Sequence, residues 1–263
     1  MRTLFGFVLP WIVCSVANAA ITDLSTWTLV EDPPNANFSA AQTAVNATLS
    51  AAGPVPAGVD IGFQSVSGDT VSNSTAGHYF DTNSDFSIAI DYDWTFNSAS
   101  GFLGLGFGIG EDSDGMNSAG VAMATSNGSP FLTFGGAARV NDADQAPLVL
   151  GATTSSLSGS LFVSYEAASG DILLGAATST GAAAPTVTGT YSGIQNQWND
   201  EALLASFFIR SDGPAGGQWL GGDADAVFSN FRILSGSAVA VPEPSAVGVI
   251  ALFGTTLAMR RRR

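Results

Sequence analysis

The chain contains one cysteine, one histidine and no lysine. Cys14 lies inside an N-terminal apolar run, so once that run is removed no thiol, disulfide or thiolate metal site remains. Stability must then come from an apolar core, and the roughly 220 residues from Ile21 to Ala240 are enough for a single all-β domain. His78 has no second histidine or cysteine to join it, which argues against a transition-metal site. No Gly-x-Ser-x-Gly elbow exists, so a serine-hydrolase triad through His78 has no support. Positive charge is equally scarce. All eight basic residues are arginine, and Arg2, Arg260, Arg261, Arg262 and Arg263 stand at the two ends. Residues 21–240 keep only Arg139, Arg210 and Arg232 against 21 acidic residues, a balance of −18. Such a surface repels phosphate backbones, so no nucleic-acid partner is expected.

The two ends carry the clearest signals. Arg2 is followed by an apolar run from Leu4 to Val16 and then by Ala17-Asn18-Ala19, the small-x-small pattern read by signal peptidase. The run is too short to span about 30 Å of hydrocarbon as a helix. Residues 1–20 are therefore expected to be a signal peptide cut after Ala19 or Ala20, and Val13 before Cys14 argues against lipoprotein processing. At the other end Val241-Pro242-Glu243-Pro244-Ser245 precedes an apolar run from Ala246 to Met259 and the cluster Arg260–Arg263. Pro242 and Pro244 fix φ and hold the residues before them extended. The fourteen-residue run would make a helix of roughly 21 Å, a short and strained permanent anchor. Its arginines would stay cytoplasmic, which puts the body across the inner membrane, as the N-terminal signal also requires.

Residues 241–263 resemble the PEP-CTERM sorting domain of Gram-negative bacteria, with motif, short transmembrane helix and Arg cluster in order at the extreme C-terminus. The resemblance implies recognition of Pro242, Glu243 and Pro244 by an exosortase. It also implies an inner-membrane intermediate with a periplasmic body, then association with the cell envelope, cell surface or extracellular matrix and its exopolysaccharide. Signal peptidase, exosortase, the membrane in passing and a glycan are thus the expected partners. The resemblance gives the destination and leaves the body's role open.

Between the ends, period-2 alternation prevails. Phe86, Ile88, Ile90, Tyr92, Trp94 and Phe96 alternate with Ser87, Ala89, Asp91, Asp93 and Thr95, a half-buried antiparallel strand. Further strands are expected at Val59–Val66, Phe102–Ile109, Gly120–Thr125, Phe131–Phe134, Leu148–Leu150, Leu161–Glu166, Ile172–Ala176, Thr186–Tyr191, Leu203–Arg210 and Ala226–Leu234, with turn residues between them. Ser39–Ala52 is Ala-rich and is expected to hold a short helix, as is Gln197–Leu203. The expected fold is all-β, an antiparallel sandwich or jelly roll over 21–234, with 235–240 as linker. The segment from Ser206 to Leu234, with Arg210-Ser211-Asp212-Gly213 and Phe228-Ser229-Asn230-Phe231-Arg232-Ile233, resembles the closing strands of a concanavalin-like or laminin-G-like sandwich.

Two features of the body bear on chemistry. Gly104, Gly106, Gly108 and Gly110 alternate with Leu103, Leu105, Phe107 and Ile109, leaving one strand face bare at a cost of about 0.5–1 kcal/mol per glycine. Either neighbouring aromatics cover that face or a flat ligand such as a sugar ring lies on it. Acidic turns at Asp81/Asn83/Asp85, at Glu111, Asp112 and Asp114, and at Asp223/Asp225 are either solvated or calcium donors, and none completes an EF-hand loop. Calcium is accordingly the only candidate cofactor, at Asp112, Asp114, Asp223 and Asp225. The competing function is a glycoside hydrolase of the concanavalin-like fold, which needs paired carboxyls and usually a Glu-x-Asp-x-x-Glu run. No such run exists, Glu31, Glu111, Glu166 and Glu201 are scattered, and Asp91 with Asp93 is expected to form a solvated strand face. No catalytic residue is expected, and the body is read as non-enzymatic.

Overall fold

The computed structural model describes residues 21–126, 133–151, 156–199, 201–211 and 217–242. The chain forms β1 (Thr28–Asp32), β2 (Phe38–Gln42), β3 (Asn46–Ala52), β4 (Val59–Gln64), β5 (His78–Tyr79), β6 (Phe86–Gly110), β7 (Ser118–Ser126) and β8 (Thr133–Val140). It continues through β9 (Ala143–Asp144), β10 (Leu148–Val149), β11 (Ser158–Glu166), β12 (Asp171–Ala177), β13 (Val187–Tyr191), β14 (Leu204–Ser211), β15 (Trp219–Ser235) and β16 (Val239–Ala240). All pairings are antiparallel. Sheet A runs β1-β4-β14-β6-β7-β8, with β9 and β10 on β8. Sheet B runs β2-β3-β15-β6-β11-β12-β13.

The two sheets share β6. Phe86–Phe96 and Phe102–Ile109 were expected as separate strands, but they are one strand of 25 residues. The stretch 97–101 between them carries turn residues, but it does not reverse the chain. Gly101 at φ 94° bends it instead, and a side chain there would meet the Gln218 carbonyl at 2.3 Å. The first half of β6 serves sheet B and the second half sheet A.

Aromatic rings bind the two sheets face to face. Phe207 of β14 packs on Phe228 of β15 with centroids 4.6 Å apart, and Trp27 meets Phe231 edge-on at 5.1 Å. Burying each such side chain contributes about 1.5–3 kcal/mol. Phe228 and Phe231 would face opposite ways in a regular strand. A bulge between Ser229 and Arg232, with Asn230 at φ 50°, turns both inward.

The Ala-rich stretch Ser39–Ala52 is not helical. It is the β2–β3 hairpin, closed by the Thr43 N–H donating to the Asn46 carbonyl at 2.8 Å. Ala47, Leu49 and Ala51 point into the core while Asn46, Thr48 and Ser50 point out, so burial at period 2 overrides alanine's helix propensity. The second expected helix, Gln197–Leu203, is also absent among the described residues. A 3-10 turn at Gln195–Gln197 precedes it. The stretch 235–240, expected to be a linker, is folded onto the body. There β16 pairs with β5, and the Val241 N–H donates to the Gly77 carbonyl at 2.9 Å. Val241 is buried beside Val66 and Leu204.

Candidate functional site: the outer face of sheet A

Register places the bare face of β6 at the centre of sheet A. Across the strands Gly62, Phe208, Gly106, Ala122 and Gly135 form one row. A second row is Asp60, Arg210, Gly104, Ala124 and Thr133, and a third is Gln64, Ser206, Gly108, Gly120 and Ala137. Alternation sends the neighbours Phe207 and Ile209 into the core and leaves Phe208 and Arg210 outside. The result is a floor of glycine, alanine and serine carrying one aromatic ring and one charged pair.

Phe208 is half-buried because its ring lies over Gly106, where an added Cβ would stand 2.5 Å from Cζ. A neighbouring aromatic thus covers Gly106. At Gly104 an added Cβ would meet only the Met123 and Arg210 carbonyls, at 3.6 and 3.8 Å, so no side chain covers this partly exposed backbone. Gly108 is packed against the Ala119 carbonyl and the Gly120 Cα. Phe208, Gly104 and Gly108 line a groove of about 790 Å3. Val30, Asp60 and Arg210 stand on one side of it, and Arg139, Asp144, Gln145 and Pro147 on the other. Its end holds Asp112, Ser113 and Asp114, in a loop tied down by the Ser113 N–H donating to the Asp69 carbonyl at 2.7 Å.

Arg210 donates from Nη1 to Asp60 Oδ2 at 3.3 Å. Burial pushes the Asp60 carboxyl up to about 6, against the pull of Arg210 and with the help of the nearby Asp32 charge. Arg139 pairs with Asp142 and, at 3.2 Å, with Asp144. Phe208, Asp60 and Arg210 were not singled out from the sequence. The usable signal was the doublet Phe207-Phe208 in a strand, since only one of two adjacent rings can face the core.

The acidic turns named as calcium candidates do not come together. Asp112 accepts the Met116 N–H at 2.8 Å, and Asp114 is exposed. Asp223 and Asp225 lie exposed on the far face of sheet B, where Ser50 donates to Asp225 at 2.5 Å. The two pairs are thus on different sheets. Asp81 accepts from Asn83, and Asp85 from the Ala167 N–H. Among the described residues no three of His, Cys, Asp or Glu come together as a metal cluster. Glu111 is buried rather than solvated, accepting from Asn117 Nδ2 and from the Asn199 and Glu201 N–H groups at 2.8–2.9 Å.

The expectation of a solvated Asp91–Asp93 face fails at Asp91. Asp93 is exposed, but Asp91 is only 4% exposed. It accepts from Ser160 Oγ, Asn230 Nδ2, the Gly181 N–H and Arg232 Nη1 at 2.5–2.9 Å. Burial opposes its ionisation, yet these four donors hold the carboxyl below its ordinary range. This network locks the β15 bulge in place. His78 sits in β5, where burial lowers its basicity.

Pro242 is exposed at the end of the described chain. Ala17, Ala19, Glu243, Pro244 and Arg260–Arg263 lie outside the described residues, as does Asp212. Among the described residues no helix is long and apolar enough to cross a membrane.

No protein-family model and no curated protein matches the chain. Similar solved structures include the alginate lyase from Klebsiella pneumoniae, with a TM-score of 0.48 and 10% identity over 84% of this chain and 99% of that one. Another is a GH16 protein of the Bacteroides ovatus mixed-linkage glucan PUL, with a TM-score of 0.44 and 9% identity, covering 80% and 95%. A functionally unknown protein from Saccharomyces cerevisiae has a TM-score of 0.44 and 13% identity, covering 80% and 97%.

Proposed function

We propose that this chain is an exported, non-enzymatic protein of the bacterial envelope or extracellular matrix, sorted through Pro242-Glu243-Pro244, whose concanavalin-like body contacts exopolysaccharide. Signal peptidase and an exosortase process the two ends, and the outer face of sheet A meets the glycan. The carrying observation is the Phe208 ring, which lies over Gly106 and lines the groove beside backbone at Gly104 that no side chain covers. Such a surface offers an apolar face to the C–H side of a pyranose, while Asp60 and Arg210 offer an acceptor and donors to its hydroxyls.

A glycan array read with the wild-type protein and Phe208→Ala tests the reading. Binding by the wild type that the variant loses supports it, and equal binding by both contradicts it. Mass spectrometry of the protein from its native cells tests the sorting. A chain still ending in Arg260–Arg263 rules processing out.

One observation favours an enzyme instead. A carboxyl pushed up to about 6 in a groove has the character of a general acid, and Asp60 is such a group. Release of reducing sugar by the wild type, abolished in Asp60→Asn, would establish that alternative.

A further inference from the structure

Resting on the reading of the groove as a glycan site, we infer that its ligand is an uncharged polysaccharide and that polyanionic chains are excluded. The charges on the lining decide this. Asp60, Asp112, Asp114 and Asp144 stand around the groove against Arg139 and Arg210. Each guanidinium is already engaged, Arg210 with Asp60 and Arg139 with Asp142 and Asp144. A carboxylated or sulfated chain must therefore displace a resident carboxylate from its arginine or lie beside Asp112 and Asp114 uncompensated. It must also approach a body whose balance is −18. Within about 8–10 Å, the screening length at moderate salt, nothing offsets that repulsion.

An uncharged chain meets no such obstacle. Its hydroxyls donate to Asp60 without displacing Arg210, whose Nη1 contact at 3.3 Å goes to one carboxylate oxygen, so the Asp60–Arg210 pair stays intact. Its C–H faces lie on Phe208 and on the partly exposed backbone of Gly104 and Gly120. Five strands from β4 to β8 give that floor a width of about 19 Å, which suits a chain better than a single sugar.

The test is titration calorimetry of the purified full-length protein with neutral glucan, mannan and galactan, with polygalacturonate and dextran sulfate, and with chitosan, at 20 and 500 mM NaCl. The expected result is binding of a neutral glycan that salt leaves unchanged, with no heat from the polyanions. Phe208→Ala should weaken that binding at least tenfold. Gly104→Leu should do the same, because an added Cβ there meets nothing nearer than 3.6 Å and the position lines the groove. Tighter binding of a polyanion at low salt, or of chitosan over every neutral glycan, overturns the inference while leaving the groove a glycan site. Binding unaffected by both variants, or no binding by any glycan, overturns this inference and the proposed function together.

Discussion

The ring of Phe208 lies across Gly106 so closely that a single methyl group on that glycine would stand 2.5 Å from its Cζ. The clash falls on the far end of a side chain that can swing away, not on backbone. Gly106→Ala should therefore cost little stability, within about 1 kcal/mol, while lifting the ring off the floor. Thermal melting and glycan titration of the variant check this. Nearly unchanged melting with weakened binding is expected.

Gly104 and Gly108 share that strand face but should respond oppositely. An added Cβ at Gly104 finds nothing within 3.6 Å, so Gly104→Ala should stabilise by about 0.5–1 kcal/mol through lost unfolded-state freedom. At Gly108 it would meet the Ala119 carbonyl at 2.7 Å and the Gly120 Cα at 3.0 Å. Backbone cannot yield as a side chain can, so Gly108→Ala should destabilise by about 1–3 kcal/mol. Urea midpoints of the two variants should move in opposite directions.

The partly buried Arg232 and the buried Asp91 form an ion pair at 2.8 Å. Removing one partner leaves a charge without its counterpart, so Arg232→Ala should cost about 3–5 kcal/mol in chemical denaturation. Asp91 ionises more readily folded than unfolded. Its contribution is present above the unfolded value near 3.8 and is lost as pH falls through the lower folded value. The wild type should therefore lose stability in acid below about pH 4, and an Asp91→Asn variant should lose less.

Asp60 behaves in the reverse sense. Its folded value of about 6 lies above the ordinary 3.8, so folding favours the protonated form. The contribution is full below pH 3.8 and lost as pH rises through 6, a change of about 3 kcal/mol. Asp60→Asn has no proton to lose there. The stability of the variant relative to wild type should rise between pH 4 and pH 7.5, and urea midpoints at the two pH values measure it. A difference independent of pH would contradict the assignment.

The antiparallel, two-faced character of the chain was legible because Phe86–Trp94 alternates large apolar and small or polar groups without a break. The continuity of β6 was not, because the bend depends on how Gly101 approaches Gln218, a contact made by a segment more than a hundred residues away. The β2–β3 hairpin was hidden for a different reason. Alanine is both a good helix former and small enough for a crowded inner face, and only packing decides between the two. The bulge at Asn230 carried no local signal, yet it brings Phe231 into the core and Arg232 to Asp91. At the groove, the bare face of β6 could be read from alternating glycines. Its floor and walls could not, because Phe208, Asp60 and Arg210 gather there only through the β4–β14–β6 register.

The most direct measurement is NMR mapping with the neutral glycan that binds best. Backbone amide shifts should move at Gly104, Gly106, Gly120, Ala122 and Phe208, while the Asp223–Asp225 face of sheet B stays still. Shifts confined to that opposite face would contradict the account.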